Sequence, residues 1–109
     1  MRLLILILCS IWAGPTYADF AKLSGPEIAQ TLADSTLQYE TAKQRFYASG
    51  KTLYESSEDS WGNWAVREDR YCSQWPPGET WDCYDVLKDG AQIRFLDDYG
   101  NASDGTRLP

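Results

Sequence analysis

The stretch "YCSQWPPGETWDCY", residues 71–84, reads nearly the same from both ends, with Cys72 and Cys83 set symmetrically about a Pro-Pro-Gly turn. No other feature limits the possible folds as strongly. Joining the two sulfurs locks neighbouring strands into one register, and closing a loop of about a dozen residues stabilises a fold by on the order of 3 kcal/mol. Redox pairs are instead Cys-x-x-Cys at a helix start, where the helix dipole holds a thiolate. Zinc requires about four ligands, and a chain without histidine has only these two thiolates after position 18. A structural disulfide is the reading, and it implies an oxidising compartment.

The opening segment, "MRLLILILCSIWAGPTYA", agrees with that compartment. Arg2 supplies a positive start, Leu3 to Trp12 a short apolar run, Gly14-Pro15 a break, and Thr16-Tyr17-Ala18 the small residues of a cleavage site. The run is too short to span a bilayer, which needs roughly twenty apolar residues. The pattern predicts an export signal over 1–18 cleaved after Ala18, then a single domain over 19–109 in the periplasm, with no membrane anchor after cleavage. Cys9 does not read as a lipid-attachment site, because Leu8 rather than a small residue precedes it. After position 18 there are nine basic and sixteen acidic residues, a net charge of −7. That balance argues against nucleic acid and anionic membrane as partners, since both demand clustered Lys and Arg.

The first element of the domain is "LSGPEIAQTLAD". Ser24 and Glu27 form a capping box, Leu23 and Ile28 a hydrophobic staple, and Ile28 and Leu32 lie one turn apart. This predicts a short amphipathic helix ending near Asp34. The hydrophobic period then changes to two. Hairpins are expected in "QRFYASGKTLYE" about Ser49-Gly50, between "WGNWAV" and "RYCSQW" about Glu68-Asp69, and between "WDCYDVL" and "AQIRFL" about Asp89-Gly90. "DDYGNASDG" reads as a further turn, and "TRLP" is too short to assign.

The expected registers agree with one another. A turn at Asp89-Gly90 sets Val86 opposite Ile93 and Tyr84 opposite Phe95, with Asp85 facing Arg94 on the other side. Pairing Cys72 with Cys83 sets Tyr71 opposite Tyr84, and the turn at Glu68-Asp69 sets Val66 opposite Tyr71. Trp64, Val66, Tyr71, Tyr84, Val86, Ile93 and Phe95 then share one apolar face, although a one-residue slip would reverse every side chain. The disulfide lies on the opposite face, with Trp75 toward the core and Trp81 outward. The expected fold is α+β, mostly β: one short N-terminal helix packed on an antiparallel β-meander, a half-open or closed small barrel with one cross-strand disulfide.

Several fragments then line up in order. Leu23-Ser24-Gly25 with Ile28, Tyr47-Ala48 before Gly50, Gly62 and Trp64, and Cys72-Ser73 with Trp75 come first. Cys83-Tyr84 with Val86, Asp89-Gly90, and Arg94-Phe95 with Asp97 and Gly100 follow. The series resembles the small exported bacterial proteins grouped as domain of unknown function 995. The resemblance runs over most of residues 19–109. It implies a Gram-negative periplasmic β-domain without an assigned activity, and it brings no catalytic residues.

Catalysis has little to work with, because a chain without histidine lacks the common general base near neutral pH. A small carboxylate-based hydrolase would use an acid pair, and Glu58-Asp59, Asp82 with Asp85, and Asp97-Asp98 are the candidates. Adjacent strand residues point to opposite faces, however, and Asp85 is expected to face Arg94. "DDYGNASDG" lacks the alternating acids and closing Glu of a calcium loop, and Asn101-Ala102-Ser103 is a glycosylation sequon of no consequence in a bacterial chain. No metal or cofactor is expected. Aromatic residues are the remaining signal. Residues 19–109 hold thirteen, against eleven Leu, Ile and Val, so most of the rings must build the core. Alternation leaves Trp81, Tyr47 and Tyr54 outside, and Pro76-Pro77 stiffen the loop from Trp75 to Trp81. The chain is therefore read as a non-enzymatic binding module that meets an envelope protein or a small or glycan ligand through Trp75, Pro76, Pro77, Trp81, Tyr47 and Tyr54. An inhibitor of an envelope hydrolase such as lysozyme is the alternative, its acidic surface steering toward a basic enzyme.

Overall fold

A reciprocal pair of hydrogen bonds starts the helix where the capping box places it. Ser24 Oγ accepts from the Glu27 amide at 3.4 Å, and the Ser24 amide donates to Glu27 Oε1 at 3.0 Å. The computed structural model describes residues 19–109; the expected export signal at 1–18, with Cys9, lies outside them. Helix α1 (Gly25–Leu32) buries Ile28 and Leu32 completely. Its Gly25 rests on the carbonyl of Glu68, a contact that leaves no room for a Cβ, while the Gly25 amide donates to Asp69 Oδ1 at 2.7 Å. The helix ends short of Asp34, which takes a φ of 57° and turns the chain straight into a strand.

Before the helix comes a two-residue strand, β1 (Ala21–Lys22). After it come β2 (Ser35–Gln38), β3 (Lys43–Phe46), β4 (Lys51–Glu55) and β5 (Asp59–Arg67). The chain then continues through β6 (Arg70–Gln74), β7 (Trp81–Asp89), β8 (Gln92–Leu96) and β9 (Ala102–Arg107). From β2 onward each strand pairs antiparallel with the next, and β9 pairs back onto β2 with Leu37 opposite Arg107. The meander is thus a closed eight-stranded barrel, with β1 lying along the far end of β7. Of the two forms left open by the sequence, half-open or closed, the structure has the closed one. No described helix is long and apolar enough to cross a membrane.

The closing strand β9 occupies residues read from sequence as a turn and an unassigned tail. It carries no large apolar side chain. Its inward position is Gly105, and a Cβ there would stand 2.9 Å from Tyr39 Cε1, so the Tyr39 ring takes the space a side chain would fill. On the outer face Arg94 grips Asp104 through two bonds of 2.8 and 3.0 Å. Strand β2 was also missing from the sequence reading, being only four residues long and directly joined to the helix.

The expected pairs Cys72–Cys83, Tyr71–Tyr84 and Val66–Tyr71 are all present, and the disulfide is formed. The β7–β8 register differs by two residues: Val86 faces Phe95 and Leu87 faces Arg94. The loop is Gly90-Ala91, with the glycine at positive φ in the first central position, as type II′ hairpins need. A slip of two keeps every side chain on its face, which is why the inward row still holds. Trp64, Tyr71, Val86, Ile93 and Phe95 are buried, with Val66 and Tyr84 packed against them. The slip does undo the expected Asp85–Arg94 pair. Asp85 instead meets Arg70 at 3.3 Å and Lys22 at 3.7 Å.

Cys72 is wholly buried although it faces outward. Arg67 stands one row to one side of the Cys72–Cys83 row and Trp81 one row to the other, and the guanidinium lies 4.4 Å from the indole centroid. Their contact therefore crosses the strand that carries Cys72, while Cys83 stays partly exposed.

Replacing both cysteines by serine should lower unfolding free energy by about 3 kcal/mol in urea titrations. Gly105→Val should cost about 1–3 kcal/mol by displacing the Tyr39 ring, whereas Ala91→Ser, at an exposed position of the β7–β8 turn, serves as the control.

Candidate ligand-binding site

Inward-facing positions change character halfway along the strands. Toward the helix they are apolar: Leu37, Phe46, Trp64, Val86 and Ile93 close over Ile28 and Leu32. Toward the opposite end the same rows continue as Gln44, Thr52 and Ser73, polar yet no more than 5% exposed. A cavity of about 1030 Å³ opens at that end. Gln44, Tyr71, Ser73 and Phe95 form its floor, Tyr39, Tyr54, Trp75 and Tyr84 its walls, and Glu40, Asp59, Pro76 and Ser103 belong to its rim. One end of the barrel is sealed by α1, so the cavity is a cup.

Its polar groups are held in place. Gln44 Nε2 donates to Thr52 Oγ1 at 2.9 Å and Tyr71 Oη at 3.3 Å, and Gln44 Oε1 accepts from Tyr39 Oη at 2.7 Å. Thr52 passes its own hydrogen to the Arg45 carbonyl at 2.8 Å. Burying these groups without partners would cost about 1–3 kcal/mol each, so the network fixes the rotamers of the floor. Tyr71, accepting from Gln44, keeps its own hydrogen to donate. Burial raises the Tyr71 phenol to about 12 and raises Tyr39 further still. Both stay neutral donors at any physiological pH.

Trp75 owes its position to a glycine. A Cβ on Gly62 would come within 2.6 Å of Trp75 Cε3, so the bare backbone of β5 is the seat of the indole. Trp75 Nε1 donates to Ser73 Oγ at 3.3 Å, and its ring meets Tyr54 edge-on at 6.2 Å, with Tyr39 a further 6.0 Å on. Three rings thus line one side of the mouth.

The residues singled out from sequence divide between two surfaces. Trp75, Pro76 and Tyr54 line the cup. Tyr47 lies outside, stacked on the exposed Trp61 at 5.9 Å, and Trp81 is on the outer face beneath Arg67. Pro77 lies in the same loop as Pro76 and is exposed. The expectation that Tyr54 faces outward is corrected by the β3–β4 turn. That loop is Ala48-Ser49-Gly50, with Gly50 at φ 94°, rather than two residues about Ser49-Gly50. The extra residue shifts the register by one and turns Thr52 and Tyr54 inward. Gln44, Tyr39, Ser73 and Tyr84 were not singled out for function. Their signal was an inward row that runs from apolar to hydrogen-bonding within one strand.

The Asp97-Asp98 pair is divided between two sets of partners. Asp98 pairs with Arg70 at 2.7 Å. Asp97 accepts from the Asn101 and Tyr99 amides at 2.9 and 2.8 Å, bonds that hold its carboxyl below the usual range and tie the β8–β9 turn. Among the described residues no three acidic or cysteine side chains gather as metal ligands would. No protein-family model, curated protein or solved structure matches this chain.

A phenol with a folded pKa above its unfolded value stabilises the fold below the unfolded pKa and loses that contribution as pH rises through the folded one. For Tyr71 the window runs from about 10 to about 12. Unfolding free energy should therefore fall across that window as tyrosinate absorbance rises, and Tyr71→Phe should flatten the slope.

Proposed function

We propose that the protein is a non-enzymatic carrier or sensor that binds one small amphipathic ligand in the cup. The observation that carries this reading is the lining itself: buried polar groups, held in place by hydrogen bonds, at the base of a ring-walled cavity open to solvent. Barrels of eight strands have interiors just wide enough to be filled by side chains or to hold one small ligand. Here the half nearest α1 is filled and the other half is not. An apolar body would lie against Trp75, Tyr54 and Phe95, and a polar group would meet the hydroxyls of Tyr71 and Ser73. Concave sites in which a few convergent polar groups orient a ligand against aromatic walls are a common form of small-molecule pocket.

Surface recognition through the Trp75–Trp81 hairpin has less support, because Trp75 is turned into the mouth and Trp81 is occupied by Arg67. A hydrolase finds less as well. Asp85, Asp98 and Asp104 are each paired with an arginine, the reverse of the apolar setting a general acid requires. The disulfide fits work in an oxidising compartment, with residues 1–18 as the export signal.

Titration with the uncharged fluorophore N-phenyl-1-naphthylamine should show one saturable site with energy transfer from tryptophan. Trp75→Ala should weaken it about tenfold, the worth of a buried aromatic contact, and Trp81→Ala should leave it unchanged. Absence of saturation, or sensitivity to Trp81→Ala alone, would overturn the cup as the site.

A further inference from the structure

We infer that the cup selects organic cations, ligands that join an apolar body to a quaternary or protonated nitrogen, and rejects anions of the fatty-acid kind. This rests on the cup being a ligand site, and it adds the sign of the charge.

The first observation is what the lining lacks. Among the described residues it contains no Lys or Arg, whereas Glu40 and Asp59 border it. Asp104 borders it too, but its side chain is paired with Arg94 on the outer face. Glu40 and Asp59 form no salt bridge among the described residues. Four basic side chains are engaged elsewhere, Arg45 on Glu55, Arg70 on Asp85 and Asp98, Lys51 on Asn63, and Arg67 on the Trp81 face, while Lys43 lies beside the rim without entering the lining. A cleft edged by one sign of charge concentrates counter-ions of the other sign.

The second observation concerns donors. Both hydrogens of the buried Gln44 amide are committed, to Thr52 and to Tyr71. An anion entering the cup would exchange part of its hydration for a few neutral hydroxyls, with no cationic side chain in the lining to compensate it. A cation meets the opposite situation. Trp75, Tyr54, Tyr39 and Tyr84 line the cavity, and an organic cation seated over an aromatic ring gains from its quadrupole without needing a counter-charge.

Three probes of matched shape test the inference on the intact protein by calorimetry: phenyltrimethylammonium, its uncharged isostere tert-butylbenzene, and benzoate. The cation should bind about tenfold more tightly than the isostere, with benzoate weakest. The double variant Glu40→Gln, Asp59→Asn should leave the isostere's affinity unchanged and shrink the cation's advantage; an undiminished advantage overturns the part assigned to those two carboxylates. Equal affinity for all three probes, or a preference for benzoate, overturns charge selection while leaving the cup as a binding site. Failure of all three together with N-phenyl-1-naphthylamine overturns both readings.

Discussion

Closure of the barrel rests on the contact between Gly105 and the Tyr39 ring, because the strand that completes the circle brings almost no apolar surface of its own. An open meander would leave β2 and β8 as unpaired edges, with backbone groups exposed to water or to another chain. The seam removes both edges with two ladder pairs to β2, a full run to β8 and the Arg94–Asp104 fork. It also gives the interior a complete wall. Tyr39 serves twice, sealing the seam with its ring and anchoring Gln44 with its hydroxyl.

Division of the interior follows from that wall. At the α1 end, helix and strands meet in a dry core where Phe46 packs edge-on against Trp64 and Tyr71 at 5.8 and 5.7 Å. Four rings share that core with six aliphatic side chains, and edge-to-face contacts are how rings fill a core without voids. Beyond Tyr71 no side chain of the described residues fills the space. What remains are polar groups bonded to one another, and Trp75 seated on the bare backbone of Gly62. The same alternation of side chains therefore builds both the support and the site.

Much of this was legible in the residues. The capping box, the disulfide register and the inward apolar row all follow from local spacing, and each reading constrained the others. Turn length decided where reading stopped. At Asp89-Gly90 the error was two residues and harmless, while at Ala48-Ser49-Gly50 it was one residue and sent Tyr54 to the wrong face. Strand β9 was illegible for a different reason: "ASDGTR" has the composition of a loop, and it becomes a strand only because its neighbours supply the ladder and Tyr39 supplies the missing side chain. The cup was hidden with it, since a cavity exists only once both of its walls are known.

The sealing of one barrel end by α1 has a kinetic meaning. Helix and strands are tied there by the bond between Gly25 and Asp69 and by Leu23, whose amide donates to the Val86 carbonyl at 2.8 Å. A vessel with a fixed base has a single doorway, shared by arrival and departure. Any guest must vacate before its replacement can enter, so exchange proceeds at the pace of release and does not quicken as the competitor is made more concentrated.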